Sequence, residues 1–287
     1  MRYESPTTVQ AAVSLLADAA GKAHILAGGT DLLVRLRSGF IEPDLIVDLK
    51  RIDALKSITM ESDGLRVGAA VPSAMLNEHA QAVAGWPGVC EAASLIGSTQ
   101  VQGRATISGN LCNASPAADS VPAMVAAGAV ARVIGPKGTR DVPVEDIATG
   151  PGKTSLGKGE FVDSILLPKR APGTSDAYLR FIPRTEMDIA VVGVGICLTV
   201  DKSGTCTAAR VSLGAVAAKV MVVETAAKAL IGTKMDDAAL NALAAACSAA
   251  ATPIDDKRGT VAFRTDIAGT LAKRAAKIAL TRAEKNL

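Results

Sequence analysis

Between residues 8 and 20 the apolar positions Val9, Ala12, Val13 and Leu16 recur at helical spacing, with Thr7 or Thr8 to cap the helix and Gly21 to stop it. His24 to Ala27 then reads as a short buried strand, broken by Gly28, Gly29 and Thr30. Helical spacing resumes from Asp31 to Arg37 through Leu32, Leu33 and Leu36, and Leu45 to Leu49 forms a second strand. A strand, a glycine-bearing turn, a helix and a strand in that order predict a small parallel αβ unit.

The pattern changes from Lys56 onward. Leu65 to Val71 is a predicted strand, and Ser73 caps a predicted helix running to about Ala82. The stretch from Ile96 to Ser115 is rich in glycine and polar residues and shows neither period. Pro116 to Ala127 reads as helical, and Val130–Ile134 and Phe161–Leu167 as strands around a turn-rich segment. Residues 56–170 are expected to form a mixed layer that completes the first domain. KRAPGTSDA, residues 169–177, is the best linker candidate, with Pro, Gly and Ser and no periodicity. Beyond it come three predicted strands (Tyr178–Ile182, Ile189–Val200, Ala208–Val216) and alanine-rich helices at about 220–231, 236–250 and 264–284. A small antiparallel sheet covered by helices is the packing these elements allow. The fold class predicted is α+β.

The chain's 287 residues exceed one ordinary core. Apolar residues make up 49%, enough for a sizeable interior, but aromatics only 2%, so that interior must be built from small aliphatic side chains. Scarce aromatics also argue against stacking platforms for single-stranded nucleic acid. A net charge of +3 gives no basic stripe for a polyanion. The densest basic segment (Lys273, Arg274, Lys277, Arg282, Lys285) alternates with apolar residues and reads as the solvated face of a helix. Five scattered cysteines contain no CxxC pair and fit buried reduced thiols better than a disulfide or metal set, although Cys197 and Cys206 could meet across a hairpin. The N-terminus lacks a signal-peptide pattern, and the longest apolar run, Ile189 to Leu198, is too short to span a bilayer. A cytoplasmic protein without a transmembrane segment is expected.

Two loops could carry chemistry. Ala27 to Asp31 lies between a strand and a helix, where adjacent glycines let a ligand approach the backbone and outward amides favour an anion. Thr106 to Asn110 supplies hydroxyls and an amide around Gly109. Either loop alone is as readily a turn as an anion site. Together they suit a dinucleotide pyrophosphate, which needs donors from two sides. Neither matches G-x-G-x-x-G, so a Rossmann site is disfavoured. Motifs for serine hydrolases, zinc proteases and P-loop proteins are absent. His24, inside a strand, and His79, on a helix, read as structural. No residue is assigned as catalytic or metal-ligating.

At these loops the sequence resembles a family. ILAGGTDLLVRLRSG (25–39) and TISGNLCNASPAADSVPAMVAAGAVARV (106–133) resemble the two FAD loops of the molybdenum-hydroxylase flavoprotein subunits, of the carbon-monoxide-dehydrogenase and xanthine-dehydrogenase type. YESPTTVQAAVSLLA (3–17), PDLIVDLKRIDALKSI (43–58) and YLRFIPRTEMDIAVVGVGICLTV (178–200) extend the resemblance, in order, over the chain. It implies a two-subdomain FAD-binding fold of the vanillyl-alcohol-oxidase (PCMH) type over 1–172, with subdomains about 1–55 and 56–172. A C-terminal flavoprotein domain over 173–287 would follow.

Carried over by position, the resemblance implies that Leu26, Ala27, Gly28, Gly29, Thr30, Asp31 and Leu32 wrap the FAD pyrophosphate and ribityl chain. Thr106, Ile107, Ser108, Gly109 and Asn110 would close from the other side. Ile96 would lie against the isoalloxazine, Val162 would touch the cofactor through its backbone, and Asp119 would hydrogen-bond it. Arg180 would bring a positive charge that stabilises a reduced anionic flavin. On their own, Asp119 reads equally as a charge in the first turn of a helix and Arg180 as a surface arginine on an edge strand. The sequence departs from the family at Gln102, often arginine, and at Ala105 and Ser108, both often glycine.

The implied function is electron transfer. A large partner subunit would hold the molybdenum–pterin (molybdopterin) cofactor, a small one two [2Fe–2S] clusters, and this chain's FAD would pass electrons to an external acceptor in a dimer of heterotrimers. Two alternatives compete: a self-contained flavoenzyme of the same broad fold, and a non-enzymatic binding module in which both loops are turns.

Overall fold

The computed structural model describes all 287 residues, in three layers of sheet with helices between them. The first layer runs β1 (Arg2–Glu4), α1 (Val9–Ala17), β2 (Ala23–Leu26), α2 (Leu32–Arg37) and β3 (Leu45–Asp48). Its strands are parallel in the order β1-β3-β2, which sets Leu26 opposite Asp48. Thr8 caps α1 by accepting from the Ala11 amide at 3.2 Å. Ala12 and Leu16 of α1 pack on Leu45 and Val47 of β3. The predicted parallel unit is present.

The second layer comprises β4 (Ile58–Glu61), β5 (Gly64–Gly68), α3 (Ser73–Glu78), α4 (Ala80–Gly85), α5 (Pro87–Ser94), α6 (Thr99–Gln102), α7 (Ile107–Cys112), α8 (Ser120–Ala126), β6 (Val130–Gly135), β7 (Gly138–Pro143), the small hairpin β8 (Ala148–Gly150) and β9 (Lys153–Thr154), and β10 (Phe161–Pro168). Five strands form an antiparallel sheet ordered β4-β5-β10-β6-β7. Phe161 at the start of β10 is buried in the core of the first layer, which ties the two layers together.

Three sequence expectations need correcting here. Ser73 does not cap its helix; Pro72 stands at the cap position and Ser73 is the first helical residue. The helix expected to reach Ala82 breaks at His79, whose Nδ1 accepts from the Ala82 amide and starts α4. The stretch expected to be irregular, Ile96 to Ser115, contains α6 and α7. Both are short, and their sequences, TQVQ and ISGNLC, hold polar residues and glycine where an apolar stripe would be needed to show a period.

The third layer is the antiparallel sheet β11 (Thr174–Phe181), β12 (Val192–Val200), β13 (Cys206–Gly214) and β14 (Met221–Val222), followed by α9 (Glu224–Leu230), α10 (Asp237–Ala250) and α11 (Val261–Glu284). β11 starts inside the segment read as a linker, because Asp176 and Ala177 are buried strand residues behind a polar sequence. The buried alanines of α11 (Ala268, Ala272, Ala275, Ala276, Ala279) give the small-residue interior the composition requires. Cys197 pairs with Arg210 and Cys206 with Val200, so the two cysteines do not face each other, and all five thiols are free. Burial pushes the Cys90, Cys112 and Cys247 thiols up to about 12. No helix is long and apolar enough to cross a membrane.

The third sheet lies close against the helices of the second layer. A side chain at Gly195 of β12 would meet the Pro122 carbonyl of α8 at 2.4 Å. One buried ion pair and one half-exposed pair fasten the junction. Arg170 pairs with Asp176 at 2.8 Å, and Asp176 accepts from the Gly88 amide at 2.9 Å. Arg282 of α11 reaches back to Glu91 of α5 and donates to the Asp176 carbonyl at 3.0 Å. The basic C-terminal helix is therefore not wholly a solvated face: Arg282 is structural.

Candidate functional site

The turn from β2 into α2 forms one wall of a cavity of about 410 Å³ between the first two layers. Pockets of roughly 300–1,000 Å³ are those that bury small molecules and cofactors. Gly29 takes φ +82, a conformation that disfavours side chains. At Gly28 an added Cβ would stand 2.2 Å from the Arg104 carbonyl, so the first loop is pressed directly onto the chain that leads into the second. The backbone amides of Gly28, Gly29 and Thr30 donate to no protein acceptor.

The opposite wall is the start of α7. Thr106 caps it, its Oγ1 accepting from the Gly109 amide at 2.9 Å. The amides of Ile107 and Ser108 have no protein acceptor. Ser108 is only 3% exposed and its hydroxyl has no hydrogen-bond partner. Asn110 accepts from the amide and the hydroxyl of Ser120, at 3.1 and 2.7 Å, and so fixes α7 against α8.

The structure brings most of the sequence-derived site residues to this cavity. Ala27, Gly28, Gly29, Thr30, Asp31 and Leu32 line one side; Thr106, Ser108, Gly109 and Asn110 line the other; Ile96 and Val162 contribute to its wall. Leu26 and Ile107 are not in the lining: both are buried, Ile107 with the core of the second layer. Asp119 and Arg180 are not in the lining either. They pair with each other at 2.7 Å, and Tyr178 donates its hydroxyl to Asp119 at 3.2 Å. Asp119 stands at the cap position of α8, and Arg180, far from being a surface residue, has a side chain 5% exposed. Burial pushes the Asp119 carboxyl up while Arg180 pulls it back. Arg180 thus meets the second layer through a carboxylate partner at close range.

Sequence reading missed His24, Arg35, Cys112 and the segment Gly157–Glu160, all of which line the cavity. Burial, then Arg35 and Lys22, hold the His24 imidazole below its ordinary range. The residues 157–160 precede β10, in a turn whose neighbourhood no local pattern reveals. Gln102 donates to the Ser94 carbonyl and so ties α6 to the end of α5; the Ala105 carbonyl accepts from the Ser73 amide at 2.7 Å, a main-chain bond independent of the side chain there.

The donor set suits an anionic dinucleotide. Amides without acceptors from both loops and one buried hydroxyl meet at a cavity whose lining mixes apolar and polar residues, and nothing there pairs a nucleophile with a base. No group of three or more His, Cys, Asp or Glu side chains is placed to hold a metal ion.

Comparison with known proteins agrees. Residues 1–170 match the family described as the FAD binding domain in molybdopterin dehydrogenase, and residues 177–279 the CO dehydrogenase flavoprotein C-terminal domain. The carbon monoxide dehydrogenase medium chain of Afipia carboxidovorans is 32% identical over 98% of this chain and 97% of its own length. The xanthine dehydrogenase FAD-binding subunit of Escherichia coli O157:H7 is 30% identical over 95% and 93%. The structure of reconstituted CO dehydrogenase from Oligotropha carboxidovorans superposes with a TM-score of 0.94 at 31% identity, covering 98% of both chains.

Proposed function

Because the chain belongs to the FAD-binding medium subunits of the molybdenum hydroxylases, we propose that it binds FAD in the cavity between its two loops and serves as the electron-output subunit of such a complex. The observation that carries the site assignment is the pair of facing loops with their unpartnered amides. FAD bound there supplies the redox chemistry that takes electrons from iron–sulfur clusters and delivers them to an external acceptor. The chain's own part is to hold and shield.

In this reading the amides of Gly28, Gly29 and Thr30 hold the pyrophosphate from one side, and those of Ile107 and Ser108 from the other. Backbone donors suit this task, since they bring no counter-charge and are fixed by the strand and helix on either side. Ile96 and Val162 give apolar surface for the ring system. Leu26 and Ile107 support the loops from below, and the Asp119–Arg180 pair holds the third layer against α8 behind the site. No side chain here acts as acid or base on an organic substrate, whose oxidation belongs to a partner subunit.

We assign the partners by the same reading: a large subunit with the molybdenum–pterin cofactor and a small subunit with [2Fe–2S] clusters, assembled as a dimer of heterotrimers. The five unpaired thiols suit a reducing compartment, the cytoplasm. The test is to co-express the chain with its neighbouring genes, purify it and record its visible spectrum. A flavin band, FAD on release, and bleaching by the substrate of the large subunit are expected. A colourless protein that takes up no added FAD refutes the assignment.

A further inference from the structure

Against the first loop, among residues that do not themselves line the cavity, lies a network of Tyr3, Asp48 and Lys50. β3 ends at Asp48, directly beside Leu26, and the chain then turns through a short 3-10 segment, Leu49–Arg51. Asp48 Oδ1 accepts from the Lys50 amide at 2.9 Å and from the Lys50 ammonium at 2.7 Å. Its Oδ2 accepts from the Tyr3 hydroxyl at 2.5 Å. Both oxygens are thereby engaged, and Asp48 is 5% exposed, so the carboxylate is fixed in place. The ammonium it anchors reaches the carbonyl of Ala27, at 3.4 Å.

A trans peptide is planar, and its C=O and N–H point in opposite directions. A donor that holds the Ala27 carbonyl on one side of the loop therefore turns the Gly28 N–H to the other. Gly28 lines the cavity, Lys50 does not, and the Gly28 amide has no protein acceptor. Residue 28 is also closely packed, since a Cβ there would stand 2.2 Å from the Arg104 carbonyl.

We propose that Lys50 is a positioning residue for the cofactor. Anchored by Asp48 and Tyr3, its ammonium holds the Ala27–Gly28 peptide so that the Gly28 N–H faces the diphosphate of the bound dinucleotide. This rests on the reading that FAD occupies the cavity. Lys50 itself does not touch the ligand.

The test uses the full chain stripped of flavin, titrated with FAD by calorimetry, with the melting temperature of the apo form measured alongside. Lys50→Met removes the donor and keeps the stem; Lys50→Arg keeps a donor. The expected result is FAD affinity lowered about tenfold in Lys50→Met and largely restored in Lys50→Arg, the loss of one well-placed donor to a charged group. In amide-resolved NMR the Gly28 proton should move downfield on FAD addition in the wild type and not in Lys50→Met. Lys50→Met also leaves Asp48 without its cation, so the double variant Asp48→Asn/Lys50→Met serves as the control for folding. Affinity that stays low while the apo melting temperature recovers supports the proposal. Wild-type affinity in Lys50→Met, or in the double variant, overturns it and leaves the FAD reading intact. A wild-type chain that takes up no FAD overturns both.

Discussion

Arg180, on the edge strand of the third sheet, reaches the second layer and pairs with Asp119 at the head of α8, Nη1 to Oδ2 at 2.7 Å. Both are largely shielded from water, and the Tyr178 hydroxyl completes the cluster. A buried pair of this kind is costly to break and cheap to replace, because removing one member strands the other's charge. Arg180→Met should therefore lower stability by about 3 kcal/mol. The double variant Asp119→Asn/Arg180→Met should be less damaged than the single one. Thermal melts of the three proteins check this, and a double variant worse than Arg180→Met would show that the pair's own attraction dominates.

Gly28→Ala tests the contact between the loops. The new methyl would fall 2.2 Å from the Arg104 carbonyl and 2.9 Å from Ala105 Cα, both backbone atoms that cannot step aside singly. The expected outcome is loss of FAD binding by at least about a hundredfold, with overpacking costing about 1–3 kcal/mol of stability. Equilibrium dialysis with FAD and a melting curve read the two effects separately.

Ser108→Ala should act with opposite signs on the apo and loaded protein. The hydroxyl is buried and unpartnered without ligand, so its removal relieves a desolvation cost and should leave the apo protein unchanged or stabilised by up to about 1 kcal/mol. With FAD present the same hydroxyl is expected to donate to the phosphates, and its loss should weaken binding about five- to tenfold. Calorimetric titration beside an apo melting curve decides it; unchanged affinity would remove Ser108 from the ligand contacts.

How much of this was visible in the sequence depends on the apolar pattern each element carries. The first loop was legible because apolar residues on both sides, Ile25 and Leu26 before it and Leu32, Leu33 and Leu36 after it, frame Gly28 and Gly29, which mark the turn. The second was legible as chemistry but not as structure, since α6 (TQVQ) and α7 (ISGNLC) carry polar residues and glycine in place of an apolar stripe. Asp119 was singled out for a hydrogen bond to the cofactor and Arg180 for a positive charge beside it. Their pairing depends on a contact across 61 residues of chain that no local pattern encodes. Lys50 was invisible for the same reason: its role comes from parallel pairing that sets Asp48 beside Leu26.

The rim of the cavity should be acid-sensitive. Two hydrogen bonds from Arg140 and one from the Gly157 amide hold the Glu160 carboxyl at about 2, below its unfolded range near 4.3. A depressed folded value means the unfolded chain binds the proton more readily. The contribution is therefore full above about pH 4.5 and is lost as pH falls toward 2. Solvent screening keeps it near 1 kcal/mol. Glu160→Gln should cost about that at pH 7 and flatten the dependence of melting temperature on pH between 4.5 and 2. A parallel shift at every pH would contradict this.

The most direct test of the central claim is an anaerobic spectral titration of the purified chain, alone and with its partner subunits. One FAD per chain is expected, unreduced by the substrate when the chain is alone and bleached once the molybdenum and iron–sulfur subunits are added. A chain that binds no FAD would contradict the site. A chain whose flavin is reduced by a small organic substrate without any partner would contradict the electron-transfer role.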